Sequence, residues 1–229
     1  MMRASCILPT SDRGALLPGA LACFLLQEPH DAELLVLDDG AVPVGDLLPS
    51  DPRIRYFREE RRLSVGAKRN RLCALARGDV IVHWDDDDYY APWRLRYQVD
   101  ALLASEADAC GLDRVLFHQP DEDRWWEYRY PPTSRAWLHG ATLAYRKSFW
   151  RSHPFADVRI GEDTRFVWSA GARLLALPDS TFYVGRIHAG NTSPKRTRDP
   201  RWRALPRGAD PVPEARRAFL GREGDGAAA

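Results

Sequence analysis

Four consecutive carboxylates, Asp85-Asp86-Asp87-Asp88, follow directly on the apolar run Val80-Ile81-Val82-His83-Trp84. The β-branched residues of that run read as a buried strand. Like charges repel one another, so a cluster of this kind at a strand end gains from a cationic partner. Carboxylate oxygens are hard ligands that suit Mg²⁺ or Mn²⁺. In open α/β sheets, ligands collect beyond the carboxyl ends of the strands. The run therefore reads as the holder of a divalent ion beside a phosphorylated substrate. The plainer reading, a solvated acidic turn before the next helix, would be preferred for a bare pair of aspartates. Four in a row, in the company of the motifs below, reverse that preference.

Three other groups could share the chemistry. Asp38-Asp39-Gly40 ends a second apolar run, Ala32 to Leu37, and forms a second acidic mouth, although Asp-Gly is also a common turn. Lys68 and Arg69 lie in the first turn of a helix opened by Ser64. Cations there oppose the helix macrodipole, an effect that a nearby anion such as a diphosphate would offset. Two solvated basic residues on an exposed face are the alternative. Glu162-Asp163 stands just before a helical stretch, Thr164 to Ala170, where Asp also serves as a simple cap.

The elements that must position these groups follow from the patterning. The chain has 229 residues, 45% hydrophobic and 28% charged, which is enough for a sizeable core in one large domain or two small ones. A net charge of +1 gives the whole molecule none of the basic excess of a nucleic-acid binder. Cys6, Cys23, Cys73 and Cys110 are scattered, without metal-site spacing, and read as reduced thiols of a cytoplasmic protein. No run approaches the ~20 apolar residues of a membrane span. Pro18 and Gly19 interrupt the most apolar early segment, and Ser11-Asp12-Arg13 breaks any leader-like run.

Strands are expected at Ala4–Leu8, Ala32–Leu37, Arg53–Arg58 and Val80–Trp84. Helices are expected at Ala15–Gln27, capped by Ser11 or Asp12, from Ser64 to Gly78, and from Pro92 to Ala104. The order β-α-β-β-α-β-α is that of a nucleotide-binding α/β sheet. Further on, Ala109–His118 reads as one strand and Asp121-Glu122-Asp123 as a hairpin tip. Trp125–Tyr130 reads as an aromatic strand and Trp137–Arg146 as a turn into another. Ala172–Leu177 and Thr181–Val184 are short strands, and Arg186–Ser193 is a polar loop. Residues 1–104 and 105–194 thus form two halves of one domain. Residues 195–229 are a basic, partly disordered tail that aids solubility or docks peripherally on anionic lipid.

These motifs, taken in order, resemble those of the family 2 glycosyltransferases, the inverting enzymes with the GT-A fold. The resemblance spans about residues 4–194. It rests on Val36-Leu37-Asp38-Asp39-Gly40, on Gly66-Ala67-Lys68-Arg69-Asn70, on Asp85-Asp86-Asp87, on Gly140 through Arg146, and on Glu162-Asp163. It implies an α/β GT-A fold, a Rossmann-like mixed sheet flanked by helices, with Thr10, Asp38, Asp39, Lys68, Arg69, Asp85 and Asp86 on the side of a nucleoside-diphosphate sugar, UDP first among them. Asp38 or Asp39 would bond the base, and Lys68 and Arg69 would lie near the nucleotide or diphosphate. Asp87 would bind Mn²⁺ or Mg²⁺, and Asp163 would be the catalytic base. Gly140, Glu162 and Trp137 would border the acceptor. One position departs from the family's pattern: the residue after Asp-Asp-Gly is Ala41 instead of Ser.

One carboxylate is too few for a metal site, so another side chain should join Asp87. His188 is the best candidate, and its imidazole would suit Mn²⁺ better than Mg²⁺. A surface-loop histidine is an equal reading. Trp125, Trp126, Trp137 and Tyr145 could stack on an acceptor or fill the core. A nucleotidyltransferase making a sugar nucleotide is an alternative, but Pro9-Thr10-Ser11-Asp12-Arg13-Gly14 lacks the lysine and the run of glycines of such enzymes. A calcium-binding module fails the EF-hand pattern at Tyr90 and Arg96. A binding protein without turnover is a third alternative, disfavoured by Asp163. The acceptor could be a carbohydrate, a lipid-linked group, a protein or a small molecule.

Overall fold

A computed structural model describes residues 3–28, 31–132 and 135–220. The chain begins β1 (Ala4–Thr10), α1 (Leu17–Leu25), β2 (Ala32–Asp38), β3 (Ile54–Arg58), α2 (Val65–Leu75), β4 (Val80–His83), β5 (Tyr89–Tyr90), α3 (Arg94–Leu103). It continues β6 (Ala109–Gly111), β7 (Arg114–Gln119), β8 (Arg124–Arg129), β9 (Ala144–Arg146), α4 (Lys147–Ser152) and α5 (Glu162–Val167). It closes with β10 (Leu174–Ala176), β11 (Tyr183–Arg186), β12 (Trp202–Ala204) and α6 (Pro213–Leu220).

Among the described residues seven strands form the main sheet, in the order β10-β6-β9-β4-β1-β2-β3. The β3, β2, β1 and β4 strands run parallel, and β9 runs antiparallel to β4 and β6. Strands buried on both faces need continuous apolar sequence, which β1, β2 and β4 have. One face, with Leu8, Leu34, Val36 and Val82, packs against Leu21 and Phe24 of α1 and Leu95 and Val99 of α3. The other, with Ile7, Leu35, Leu37 and Ile81, packs against Leu72 and Cys73 of α2 and Phe166 of α5. All four cysteines are free and buried. A second sheet, β12-β8-β7-β11-β5, stands beside the first. The expected mixed sheet flanked by helices is therefore present. No helix among the described residues is long and apolar enough to cross a membrane.

Four local expectations change. Helix α1 starts at Leu17 with Pro18 in its first turn, and neither Ser11 nor Asp12 caps it. Asp12 instead takes a left-handed conformation (φ 52°), which a short polar side chain tolerates. Its carboxylate accepts from the Ala41 amide at 2.5 Å. Asp12 thus provides an acceptor beside the position where Ala41 has no hydroxyl. The single strand expected over Ala109–His118 divides into β6 and β7, one in each sheet. The Leu112 amide donates to Thr142 Oγ1 (3.0 Å) instead of to a neighbouring strand, and this breaks the ladder. Helix α5 begins two residues early and takes Glu162 and Asp163 into its first turn. Residues 195–220, expected as part of a loose tail, carry β12, paired with β8, and α6, which buries Ala215 and Phe219. The rest of that expected tail, from residue 221, lies outside the described residues.

Gly66 is needed where α2 passes the 156–158 segment. Its amide donates to the Val158 carbonyl (3.2 Å), and a Cβ there would fall far inside contact distance of the Ala156 carbonyl oxygen. Overpacking against backbone has no flexible side chain to absorb it. Gly66→Ala should lower stability by about 1–3 kcal/mol, read as a fall in the urea midpoint at unchanged slope.

Candidate active site

The carboxyl ends of β1, β2 and β4 open on a cavity of about 950 Å³. Of the residues that the sequence singled out, Thr10, Asp39, Lys68, Arg69, Asp85, Asp86, Asp87, Trp137, Glu162 and Asp163 line it. His188 and Gly140 stand directly behind lining residues, in contact with Asp87 and Asp163 respectively. Arg13, Tyr128, His139, Asn191, Lys195 and Trp202 also line it.

Each carboxylate of the acidic run has a different neighbourhood. Asp85 faces the Arg69 guanidinium at 3.6 Å. Asp86 accepts from Thr10 Oγ1 (2.7 Å) and Arg13 Nη1 (3.0 Å). Asp87 Oδ2 accepts from Arg13 Nη1 (2.9 Å) and lies 3.0 Å from His188 Nε2, with Asn191 Nδ2 at 3.5 Å. Asp88 accepts from Tyr183 Oη (2.5 Å) and the Arg186 amide (3.0 Å), and braces β11. Burial pushes the acids of Asp85, Asp86 and Asp88 up, Asp86 to about 6, and the neighbouring carboxylates add to this. Burial also acts on Asp87, but His188 and Arg13 outweigh it and hold this carboxyl below its usual range. The chain therefore favours the ionised form at Asp87 above all.

Asp87 and His188 offer one hard oxygen and one imidazole nitrogen, a donor set that fits Mn²⁺. Among the described residues no group of three or more His, Cys, Asp and Glu could hold a metal alone. The pair therefore fits an ion that completes its shell from a phosphorylated ligand and water, as Mg²⁺ and Mn²⁺ at phosphate sites do.

The basic pair of α2 is not waiting for an anion. Ser64 caps the helix as expected, accepting from the Ala67 amide (3.0 Å). Lys68 Nζ donates to Asp39 Oδ1 (2.8 Å) and the Thr10 carbonyl (3.0 Å). Arg69 Nη1 donates to Glu162 Oε1 (2.5 Å). Carboxylates of the chain thus offset both cations, a role expected for a diphosphate. Burial pushes the Glu162 acid up, and the Arg69 guanidinium opposes this. Asp38 is fully buried, outside the cavity lining, with its carboxylate filled by the Gly40 and Val44 amides, Tyr56 Oη and Arg58. It shapes the turn after β2, and of the acidic pair only Asp39 reaches the cavity.

Asp163 rests on Gly140. A Cβ at residue 140 would overlap its carboxylate. The N-cap is Gly161, in a left-handed conformation (φ 80°), and Asp163 stands in the first turn, where its Oδ1 accepts from the Thr164 amide (2.7 Å). Beneath it lies a buried chain. His83 Nδ1 donates to the Gly140 carbonyl (2.7 Å), and Nε2 faces Tyr145 Oη (3.3 Å), which touches Cys73 Sγ (3.2 Å). Burial, with the Arg69 and Arg94 charges, holds His83 neutral well below its usual range. The unfolded chain therefore takes up a proton near pH 6.5 that the folded chain refuses. Stability is flat above that pH and falls as pH drops below it. The loss between pH 7.5 and 5.5 should be smaller by about 1.4 kcal/mol in His83→Gln than in the wild type, read from paired urea titrations.

Aromatic residues separate by place. Trp125 and Tyr145 are buried in the core, and Trp126 packs against it outside the cavity lining. Trp137 lines the cavity, stacked on Tyr130 (4.9 Å between centroids), and its Nε1 donates to Thr164 Oγ1 (3.1 Å), one residue past Asp163.

The sequence matches the model of "Glycosyl transferase family 2" over residues 5–160. The chain belongs to glycosyl transferase family 2. Among curated relatives of the family 2 chain, WcaA, a glycosyl transferase assigned to colanic acid biosynthesis in Escherichia coli strain K12, is 32% identical over 96 residues, which is 40% of this chain and 34% of WcaA. Among solved structures, S. aureus TarS 1-349 in complex with UDP superposes with a TM-score of 0.62 at 17% identity, over 81% of this chain and 61% of that one. The mannosyltransferase PcManGT from Pyrobaculum calidifontis, in complex with GDP-Man and Mn²⁺, gives a TM-score of 0.61 at 20% identity, over 85% and 58%. The chain thus spans about a third of the length of its curated relatives. The structural likeness identifies the fold as GT-A.

Arg13, Lys195 and Trp202 were missed for different reasons. Arg13 follows the first strand without any spacing signal. Lys195 and Trp202 sit where the composition turns basic and proline-rich, which reads as tail.

Proposed function

We propose that the protein is a metal-dependent inverting glycosyltransferase that moves a sugar from a nucleoside-diphosphate sugar, UDP first among the candidates, to an acceptor hydroxyl. One observation carries this reading: Asp163 and the acidic run Asp85–Asp87 line the same cavity. UDP in the TarS structure and GDP-Man with Mn²⁺ in PcManGT support it.

In the displacement, the acceptor oxygen bonds to the anomeric carbon while the bond from that carbon to the diphosphate oxygen breaks, and the electron pair leaves with the diphosphate. Asp163 takes the acceptor proton, a transfer that needs a carboxylate within hydrogen-bond reach of the hydroxyl. Asp39, held by Lys68, faces the base, and Asp85 and Asp86 face the ribose and donor sugar. Asp87 and His188 would hold a divalent ion, which when bound would supply neutralisation of the leaving diphosphate. Trp137 and Gly140 border the acceptor and hold Asp163 in line with it. Nucleotide transfer would take a nucleoside triphosphate and a sugar 1-phosphate as substrates, and binding without turnover predicts the same ligands but no sugar transfer. A peripheral membrane contact remains part of the proposal if the acceptor is lipid-linked.

Calorimetric titration with UDP, GDP, CDP and ADP, each with and without Mn²⁺, tests the donor site. Tight, Mn²⁺-dependent binding of one diphosphate is expected. Folded protein that binds none of them would overturn the reading. Gly140→Ala tests the base. The added methyl falls inside contact distance of the Asp163 carboxylate and of its Cβ, so the side chain must shift as a whole. Transfer should fall about 10²-fold, with the melting temperature measured alongside to separate the loss of the base from a loss of fold.

A further inference from the structure

Beyond β11 the chain turns back over the acidic strand end. Arg13, already bonded to Asp86 and Asp87, donates through Nη2 to the Gly190 carbonyl and to Thr192 Oγ1 (3.0 Å). Asn191 closes the turn, accepting from the His188 amide (2.9 Å) and donating to the Arg186 carbonyl (3.0 Å). The loop so tied delivers Lys195 to the cavity wall, half-buried, with Nζ 5.2 Å from the centroid of the Phe117 ring.

Lys195 differs from the other sheltered cations of the cavity. Arg13, Lys68 and Arg69 each contact a carboxylate. Among the described residues Lys195 has the ring alone, with no carboxylate at ion-pair distance. A half-buried lysine on a cavity wall, bonded to no anion of its own, leaves its donors available to an anion that enters. The anion that fits is one that also meets Asp87 through a divalent ion. The residue lies beyond the 5–160 segment that carries the family match.

We propose that Lys195 binds the diphosphate of the donor and neutralises it as the leaving group. This rests on the glycosyltransferase reading above. The ammonium donates a charge-assisted hydrogen bond to a phosphate oxygen, which strengthens as the bond to the anomeric carbon breaks and its electron pair passes to the diphosphate.

The test uses the full chain with Mn²⁺ and measures binding of UDP, GDP and the matching nucleosides to the wild type, Lys195→Met and Lys195→Arg. Methionine keeps an unbranched stem over Phe117 and removes only the charge. The expected result is at least a tenfold loss of diphosphate affinity in Lys195→Met, unchanged nucleoside binding, and recovery to within threefold in Lys195→Arg. Equal diphosphate affinity in Lys195→Met and wild type would overturn the inference and leave the donor site standing. An equal loss for nucleoside and diphosphate would also overturn it, by showing that Lys195 only supports the wall. Wild-type protein that binds no diphosphate would overturn the glycosyltransferase reading itself and this inference with it.

Discussion

Asp163→Asn is expected to abolish most sugar transfer, by roughly 10²–10⁴-fold, the range over which a positioned general base acts, while diphosphate affinity stays within about twofold. The side chain is isosteric. It can keep its place against Gly140 and still accept from the Thr164 amide, as Asp163 Oδ1 does at 2.7 Å. What it cannot do is take a proton from the acceptor hydroxyl. A single-turnover transfer assay paired with calorimetry separates the two quantities. Undiminished transfer would remove Asp163 from the mechanism. The adjacent Glu162 would be a poor substitute, because it is buried and its carboxylate is held by Arg69 at 2.5 Å. Loss of both transfer and diphosphate binding would point to a structural role instead.

The parts of the fold that could be read from sequence are those whose signal is local. Strands β1, β2 and β4 are buried on both faces, so each appears as an uninterrupted apolar run. Helix α2 announces itself through Ser64, whose hydroxyl accepts from the Ala67 amide. The acidic run is legible because four carboxylates at a strand end have few other uses. The pairings are not legible in the same way. Lys68 meets Asp39 across 29 residues and Arg69 meets Glu162 across 93. A sequence shows that a cation at a helix start needs an anion; it does not show that the chain itself provides one. Strands of two or three residues, such as β5 and β12, hold their places through the second sheet rather than through any pattern of their own. Trp202 reaches the cavity because β12 pairs with β8, and Lys195 because Arg13 ties down the loop before it, so a basic, proline-rich stretch that reads as tail becomes wall. Asp38 and Asp39 look equivalent in sequence. The turn amides of Gly40 and Val44 occupy the first and leave the second facing the cavity.

Arg69 ties three of the family motifs together, and its removal should carry the largest cost in stability. The guanidinium joins α2 to Glu162 of α5 at 2.5 Å and to Asp85 after β4 at 3.6 Å, over the ring of Phe155 at 5.8 Å. Burial works against its charge, but Glu162, Asp85 and Asp163 more than offset this and raise its pKa above the ordinary value. Arg69→Met fills much of the same space with an apolar side chain and strands the Glu162 carboxylate in a buried site. Leaving one partner of a buried ion pair alone costs about 3–5 kcal/mol. Adding Glu162→Gln removes the stranded charge, so the double variant should regain a large part of that loss, and the cycle isolates the pair itself. An Arg69→Met protein within about 1 kcal/mol of the wild type would contradict this, since it would mean that Glu162 is either hydrated or neutral without its partner. The single variant should also lose less stability in acid than at neutral pH. Burial already pushes Glu162 up with Arg69 present, and without the guanidinium its acid rises further above that of the unfolded chain. A carboxyl whose folded value is raised destabilises the protein above its unfolded value, near 4.3, and that penalty fades as pH falls through the folded value towards it.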